Sequence, residues 1–361
     1  MKSLRLLPVI TAVLIAAGCG SGESSITVVN TDSEGNIISS SVVDTDAMPQ
    51  TVTEPPAETS AAAETSSVSE TAVSSEEIPD SSPTEQVFSL SAALNALDSI
   101  GSDSTPTAFG SALSVPEALN EQVSALTSAG HKVSFAMLDL NTLSGISCNS
   151  GSGMCTQSVI KAAYIGSLAE SDPSVLTSEY EDIHDAVAYS DNYSYMYLRD
   201  KYGTDSLRKW CAETGVSQSI ADSEYPVMSA SDMLRLWVRL YSFISSDDTG
   251  AKLGKLLEAS VGSAGRQLFM GQYTVQSKSG WECGQGDEIS YDPDASIAET
   301  LTDGDPFNDE CAANDAGIVY TENGTYIYVI FTDIPFGVFE ENTPANPLTG
   351  LLSEINNARS R

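Results

Sequence analysis

Histidine is nearly absent from this 361-residue chain, which has only His131 and His184. Neither stands at a metal-ligand spacing from a cysteine, so a zinc site is poorly supported and no metal or other cofactor is expected. A Ser-His-Asp hydrolase is equally badly served, because the chain also contains no Gly-x-Ser-x-Gly stretch. Positive charge is scarce: 16 Lys and Arg stand against 50 Asp and Glu, for a formal net charge of −34. So acidic a surface repels nucleic acid and excludes it as a general partner. It also repels bare anionic lipid, so any hold on a membrane needs a covalent or apolar anchor. Long apolar runs are missing too. The stretch from Leu6 to Ala17 is too short to span a bilayer as a mature helix.

What the amino terminus does contain is a short basic start, Met1-Lys-Ser-Leu-Arg, then that apolar run, then Leu14-Ile-Ala-Ala-Gly18-Cys19-Gly. Small residues before a cysteine at this offset resemble a bacterial lipoprotein signal. The resemblance implies removal of residues 1–18, lipid on Cys19 and a place on the extracytoplasmic face of a bacterial membrane. Ala16 stands where such signals prefer Leu. The competing reading is an ordinary secretory signal with an incidental cysteine. Residues 19–113 are dominated by Ser, Thr, Glu, Ala and Pro, as in Glu54-Pro-Pro-Ala-Glu-Thr-Ser. That composition buries too little apolar surface to offset its ordering entropy, and it reads as a disordered acidic tether. Within it, Ile26-Thr-Val-Val and Asn36-Ile-Ile-Ser have strand character, and Gln86 to Ile100 carries apolar residues at helical spacing.

From Ser114 to Arg361 the pattern is that of a folded domain. Pro116 opens a helix with Ser114 as its cap. Lys132 to Leu140 reads as a buried strand and Ile146 starts the returning one. A helical middle follows, at about 179–189, 193–202, 205–214, 230–245 and 250–260. Strands are expected at 272–279, 317–321 and 325–333, with Asn323-Gly324 as a hairpin turn, and a helix at 346–361. Strands at both ends of a helical middle predict an α+β fold: one antiparallel sheet flanked by helices, plus an all-helical lobe. If Cys19 is lipidated, five cysteines remain in an exported domain. The spacing predicts two disulfides, Cys148–Cys155 and Cys283–Cys311, and a buried helical thiol at Cys211.

Chemistry concentrates in Thr156-Gln-Ser158-Val-Ile-Lys161. Residues three apart share a helix face, so Lys161 is placed to hydrogen-bond to the Ser158 hydroxyl, near the positive end of the helix. That is an activated nucleophile built without histidine. Ser-x-x-Lys alone is weak, and a second copy, Ser206-Leu-Arg-Lys209, reads as an ordinary helix face. The first copy is followed in order by Ser190-Asp191-Asn192, by Lys278-Ser279-Gly280 with Trp281, and by Asn314-Asp-Ala-Gly-Ile-Val-Tyr. Taken singly, Ser-Asp-Asn is a good helix cap and Lys-Ser-Gly an exposed strand end.

Together the motifs from Ser114 onward resemble the class A β-lactamases and penicillin-binding serine hydrolases. The resemblance implies Ser158 as nucleophile, Lys161 as proton acceptor and Ser190 as proton relay. It implies Asn192, Lys278, Ser279, Gly280 and Trp281 as substrate-binding groups, with the Ser158 and Trp281 N–H groups as oxyanion hole. The implied partner is a β-lactam or a peptidoglycan peptide, and a monomer is expected. There are departures. Only 32 residues separate Ser158 from Ser190, which implies a reduced helical lobe. Ser279 replaces the usual Thr, and Trp281 a small residue. The Glu-x-x-Leu-Asn loop that supplies the deacylating base is missing. In its place is Ala221-Asp-Ser-Glu224-Tyr-Pro-Val-Met-Ser-Ala-Ser-Asp. The expected activity is therefore acyl-enzyme formation with slow turnover. The alternatives are a D-Ala-D-Ala carboxypeptidase and a non-catalytic wall-binding lipoprotein.

Overall fold

The computed structural model describes residues 10–13, 25–31, 37–44, 88–282, 312–334 and 347–360. The chain divides into two units, Met1–Asp80 and Ser81–Arg361. The first holds three strands rich in β-branched residues: β1 (Ile10–Val13), β2 (Ser25–Thr31) and β3 (Ile37–Asp44). They pair as an antiparallel sheet in that order. Three strands are about the minimum for such a sheet, and pairing is what the two short runs lacked as isolated segments. Cys19, Cys283 and Cys311 lie outside the described residues, and with them the lipidation and the second expected disulfide.

The second unit begins with α1 (Leu90–Leu97) and β4 (Thr107–Phe109). Next come α2 (Glu117–Ser128), the β5–β6 hairpin (Val133–Asp139, Ser144–Cys148) and β7 (Met154–Cys155). The helical stretch holds α3 (Ile160–Ser171), α4 (Val175–Ser178), α5 (Tyr180–His184), a π-helical turn at Asp185–Tyr189, α6 (Asn192–Tyr202) and α7 (Asp205–Thr214). It continues through β8 (Val227–Met228), α8 (Ala230–Ser246), α9 (Asp248–Leu257) and α10 (Ala264–Phe269). The chain closes with β9 (Thr274–Glu282), β10 (Ala312–Thr321), β11 (Gly324–Thr332) and α11 (Pro347–Asn357).

Six strands form one antiparallel sheet in the order β4-β6-β5-β11-β10-β9. Alternation along its central strands divides the core. Phe135, Met137, Tyr326, Tyr328 and Ile330 pack with Leu119 of α2 and Leu351 and Ile355 of α11. Their neighbours Ala136, Leu138, Ile327, Val329 and Phe331 pack with the helical lobe. A period of two does this automatically, because successive side chains leave a strand on opposite faces. The fold is α+β, an antiparallel sheet flanked by helices, as the sequence predicts. Helix α3 is buried all round from Ile160 to Ala169, which is why its sequence shows no polar face. It packs against α7, α8 and α9.

Three expectations need correction. The tether boundary at 113 is too late. Helix α1 buries Ala93 and Leu97 in the core of the helical lobe, Arg235 of α8 pairs with Asp98 at 2.5 Å, and β4 is an edge of the main sheet. Eight residues of helix are marginal alone and stable once packed, so composition misjudged this stretch. The Cys148–Cys155 bridge is not formed. Cys148 ends β6 and packs among Leu119, Val133 and Phe135, with its Sγ on the Ser104 carbonyl. Cys155 sits on the separate β7–β8 ribbon with its Sγ toward the Tyr225 carbonyl. A disulfide needs both Cβ atoms to converge, and these side chains go to different neighbours. Lastly, Pro116 and not Ser114 occupies the N-cap position of α2, and no side chain caps that end. Cys211 is a buried helical thiol, as expected.

Candidate active site

Ser158 lies in a single 3-10 turn, Gln157–Val159, immediately ahead of α3. The residue before it, Gln157, has φ +47°, a left-handed conformation that costs a non-glycine residue about 1 kcal/mol. Such strain persists only where the surroundings enforce it. Here the enforcing contacts are visible: the Thr156 N–H donates to the Pro226 carbonyl at 3.1 Å, and Asn314 Nδ2 donates to the Cys155 carbonyl at 2.8 Å. The approach to Ser158 is thus pinned from Pro226, just ahead of β8, on one side and from β10 on the other.

Lys161 is fully buried. Its Nζ donates to the Ser190 carbonyl at 2.6 Å, to Asn192 Oδ1 at 2.6 Å and to the Asp191 carbonyl at 3.2 Å. An ammonium has three N–H groups, and these acceptors use all of them. The expected bond to the Ser158 hydroxyl is therefore not made in this conformation. The rings of Tyr195 and Tyr225 lie 5.3 and 5.8 Å from Nζ. Burial pulls the lysine down to about 7, against the opposing pull of the Asp191 carboxylate.

The second motif owes its shape to the π-helical turn before it. A π turn adds one residue to the helical ladder, and Ser190 follows it in the left-handed region, at φ +67°. This turns its carbonyl to Lys161, while its Oγ accepts from Lys278 Nζ at 2.8 Å. One residue thereby joins two buried lysines. Asp191 is the N-cap of α6, accepting from the Ser194 N–H at 2.8 Å. The helix-cap reading of Ser-Asp-Asn is thus correct for Asp191, while its two neighbours contact the buried lysines.

The third motif is placed by strand register. Lys278, Ser279, Gly280 and Trp281 on β9 lie opposite Ala316, Asp315, Asn314 and Ala313 on β10. Lys278, fully buried, donates to Ser190 Oγ and to the Ser279 carbonyl. Burial and repulsion from Lys161 hold it well below the usual lysine range, with Asp315 pulling the other way. Gly280 runs so close to Ser158 that a Cβ there would stand 2.8 Å from the Ser158 nitrogen and 3.0 Å from the Thr156 carbonyl oxygen. Ser279 is spent differently from its expected role: its hydroxyl donates to the Val261 carbonyl at 2.5 Å. Trp281 flanks the site with its ring 5.9 Å from Lys278 Nζ and against Gly262, which has φ +69°.

The structure therefore brings Ser158, Lys161, Ser190, Asn192, Lys278 and Gly280 together, with Trp281 at their edge. It also adds a residue that no motif announced. Tyr225 donates its hydroxyl to Asn192 Oδ1 at 2.8 Å. It belongs to the segment that replaces the Glu-x-x-Leu-Asn loop. Glu224 beside it is exposed, and its contact with the site is through its carbonyl, which accepts from Tyr195 OH. Among the described residues no carboxylate is hydrogen-bonded to Lys161.

A sequence profile described as the beta-lactamase enzyme family matches residues 164–355. The match begins three residues beyond Lys161, so it spans the second and third motifs and not the first. Among solved structures the chain is similar to a beta-lactamase from Sphaerobacter thermophilus, at 14% identity over 67% of this chain and 94% of that one, with a TM-score of 0.48. It is also similar to a beta-lactamase from Streptosporangium roseum, at 16% identity over 67% and 98%, with a TM-score of 0.47. No curated protein sequence matches the chain. With more than half of its length under that profile, and with an antiparallel sheet and helical lobe built around it, the chain belongs to the beta-lactamase enzyme family.

Proposed function

We propose that this protein is an exported serine hydrolase that forms an acyl-enzyme at Ser158 with β-lactams and releases it slowly. The observation that carries the reading is the bridge at Ser190, whose carbonyl is 2.6 Å from Lys161 Nζ and whose hydroxyl is 2.8 Å from Lys278 Nζ. Two buried lysines thus meet on one serine, Lys278 at its hydroxyl and Lys161 at its carbonyl, and Lys161 reaches the hydroxyl by turning its Nζ from that carbonyl. Neutral Lys161 takes the proton from Ser158 Oγ as that oxygen attacks the carbonyl carbon. When Lys161 is neutral it gives up one of its three hydrogen bonds, and the 3.2 Å bond to the Asp191 carbonyl is the weakest. The backbone N–H groups of Ser158 and Trp281 hold the developing oxyanion. Collapse breaks the carbon–nitrogen bond, Ser190 Oγ gives its proton to the leaving nitrogen, and Lys161 Nζ, turned from the Ser190 carbonyl to its Oγ, returns the proton it took from Ser158. Lys278 keeps the relay oxygen polarised and meets the substrate carboxylate. For Ser279 to join it, the hydroxyl turns away from Val261.

The second reading is a D-Ala-D-Ala carboxypeptidase-type penicillin-binding protein. It is favoured by the segment around Tyr225, which sets a phenol rather than a carboxylate beside Asn192 and leaves the acyl-enzyme without the family's usual base. Intact mass of the purified chain mixed with a penicillin, followed over time, separates the two. An adduct of the whole penicillin mass that persists and is lost in Ser158→Ala supports the peptidase-like form. A transient adduct with ring-opened product supports the β-lactamase. Full labelling of Ser158→Ala sinks the assignment of the nucleophile. Failure of penicillins and D-Ala-D-Ala peptides alike to acylate the chain, with binding intact, leaves a wall-binding module. The lipid anchor belongs to the same proposal. Radiolabelled fatty acid is expected on the wild-type chain and not on Cys19→Ser, and equal labelling of both would overturn it.

A further inference from the structure

We propose that Tyr225 is a positioning residue of this active site: its phenol holds the Asn192 carboxamide with the oxygen on Lys161, leaving the NH2 as the group offered to substrate. The inference rests on the hydrolase reading above and adds a residue to it.

Asn192 Oδ1 has two lone pairs. Lys161 Nζ reaches it at 2.6 Å and Tyr225 OH at 2.8 Å, so both are filled. A side-chain amide reads the same shape in two orientations, and only its partners choose between them. With Lys161 protonated, the ammonium alone enforces the orientation. The reaction needs Lys161 neutral, and at that moment the lysine has a lone pair that would welcome the amide NH2. A flip would then tie up the base and turn the carbonyl oxygen toward the substrate amide. Tyr225 is the partner that remains in place when the lysine loses its proton.

The phenol is well held for this task. Its backbone is wired to the strand that leads to the nucleophile: Pro226 accepts from the Thr156 N–H, and β8 pairs Val227 with Cys155 and Met228 with Met154. Its ring lies 5.9 Å from that of Tyr195, which itself lies over Lys161. The groups around Lys161 are thus the carbonyls of Ser190 and Asp191, Asn192, the Tyr195 and Tyr225 rings, the Asp191 carboxylate and the cation of Lys278. A neutral phenol at position 225 orients Asn192 without adding a second carboxylate that would keep Lys161 charged.

The test compares wild type with Tyr225→Phe in the full chain. Acylation by benzylpenicillin, which has an acylamide for Asn192 to meet, is measured against 6-aminopenicillanic acid, which has none. Tyr225→Phe is expected to slow benzylpenicillin about tenfold, the worth of one oriented hydrogen bond, and to leave 6-aminopenicillanic acid within about twofold. An equal loss on both substrates, or no loss on either, overturns the proposal. Lys161 is followed in parallel by NMR of lysine labelled at Cε, which needs no turnover. Freed to flip, Asn192 stabilises the neutral amine, so the Lys161 titration moves to lower pH in Tyr225→Phe. If wild type takes no penicillin at all, the hydrolase reading has failed, and this titration alone judges Tyr225: an unchanged midpoint rejects its role.

Discussion

The two walls of the cleft hold a fully buried lysine each, and they hold it by different means. On the helical wall, Lys161 is surrounded by backbone carbonyls and Asn192, and the geometry depends on a π turn and a left-handed Ser190. On the sheet wall, Lys278 is placed by nine consecutive register pairs between β9 and β10, with no unusual backbone at the motif. A sheet register cannot slip by one residue without turning every side chain to the opposite face. A left-handed serine stores strain that only glycine at that position relieves. The strand wall is therefore the rigid reference, and the helical wall the part whose groups titrate and adjust.

The rigidity of the strand wall is tested most severely at Gly280. In Gly280→Ala the new methyl meets backbone on the nucleophile's own turn, and neither side has a flexible end to move. Acylation should fall by about 100-fold and stability by about 1–3 kcal/mol, read by intact mass and thermal melting. An alanine variant that acylates at the wild-type rate would show that β9 yields to the helical wall and reverse the comparison. The titrating character of the helical wall is tested by pH. In the proposed mechanism the neutral form of Lys161 is the base; as burial brings it down to about 7, the acylation rate should rise through pH 7. Below it, the rate should fall about tenfold per unit. The sign for stability follows from the same shift. An unfolded lysine binds its proton up to the ordinary range, near 10, whereas Lys161 in the fold loses it near 7. Its contribution thus makes folding more favourable as pH rises between those values and less favourable as pH falls toward 7.

The helical wall also rests on α1, which closes the lobe behind it. Leu97→Ala should cost about 2–4 kcal/mol in chemical denaturation, and a neutral result would return this stretch to the tether. The smallest effect separates strain from chemistry at Ser190. Ser190→Ala and Ser190→Gly both remove the hydroxyl proposed as relay, so both should lose acylation. The glycine variant, free of the left-handed penalty, should unfold about 1 kcal/mol later than the alanine variant. Equal stability would mean that Ser190 is not strained and that the two walls are alike.

Much of the site was legible because its chemistry is short-range along the chain. Ser158 and Lys161 must be one turn apart, and Ser190 and Asn192 must straddle a helix start, so their spacings survive in sequence. Helices at 205–214 and 230–245 and the hairpin at Asn323-Gly324 were legible for the same reason: a local period or turn chemistry dictates them. The errors came where a distant partner decides. Cysteines seven residues apart looked like a bridge, but β6 turns Cys148 to the face of the sheet covered by α2. Gln86 to Ile100 sat inside a Ser- and Glu-rich stretch, and the core that Ala93 and Leu97 join, α8 included, is supplied by residues distant in the chain. Tyr225 had no signal at all, since a tyrosine in a loop belongs to no motif.

By itself the sequence determined the chain's layer architecture and which polar residues stand close along the chain. A serine and a lysine one turn apart, three motifs in order, and strands at both ends of a helical middle follow from residue types and local periodicity. The tertiary structure alone decided which groups meet. Ser190 and Lys278 are 88 residues apart in the chain and 2.8 Å apart in space. The carbonyls that surround Lys161, the closeness of Gly280 to Ser158, and the phenol on Asn192 likewise depend on how β9, α3 and the Tyr225 segment pack. Local periods state which face a residue presents, and only packing states what stands opposite it.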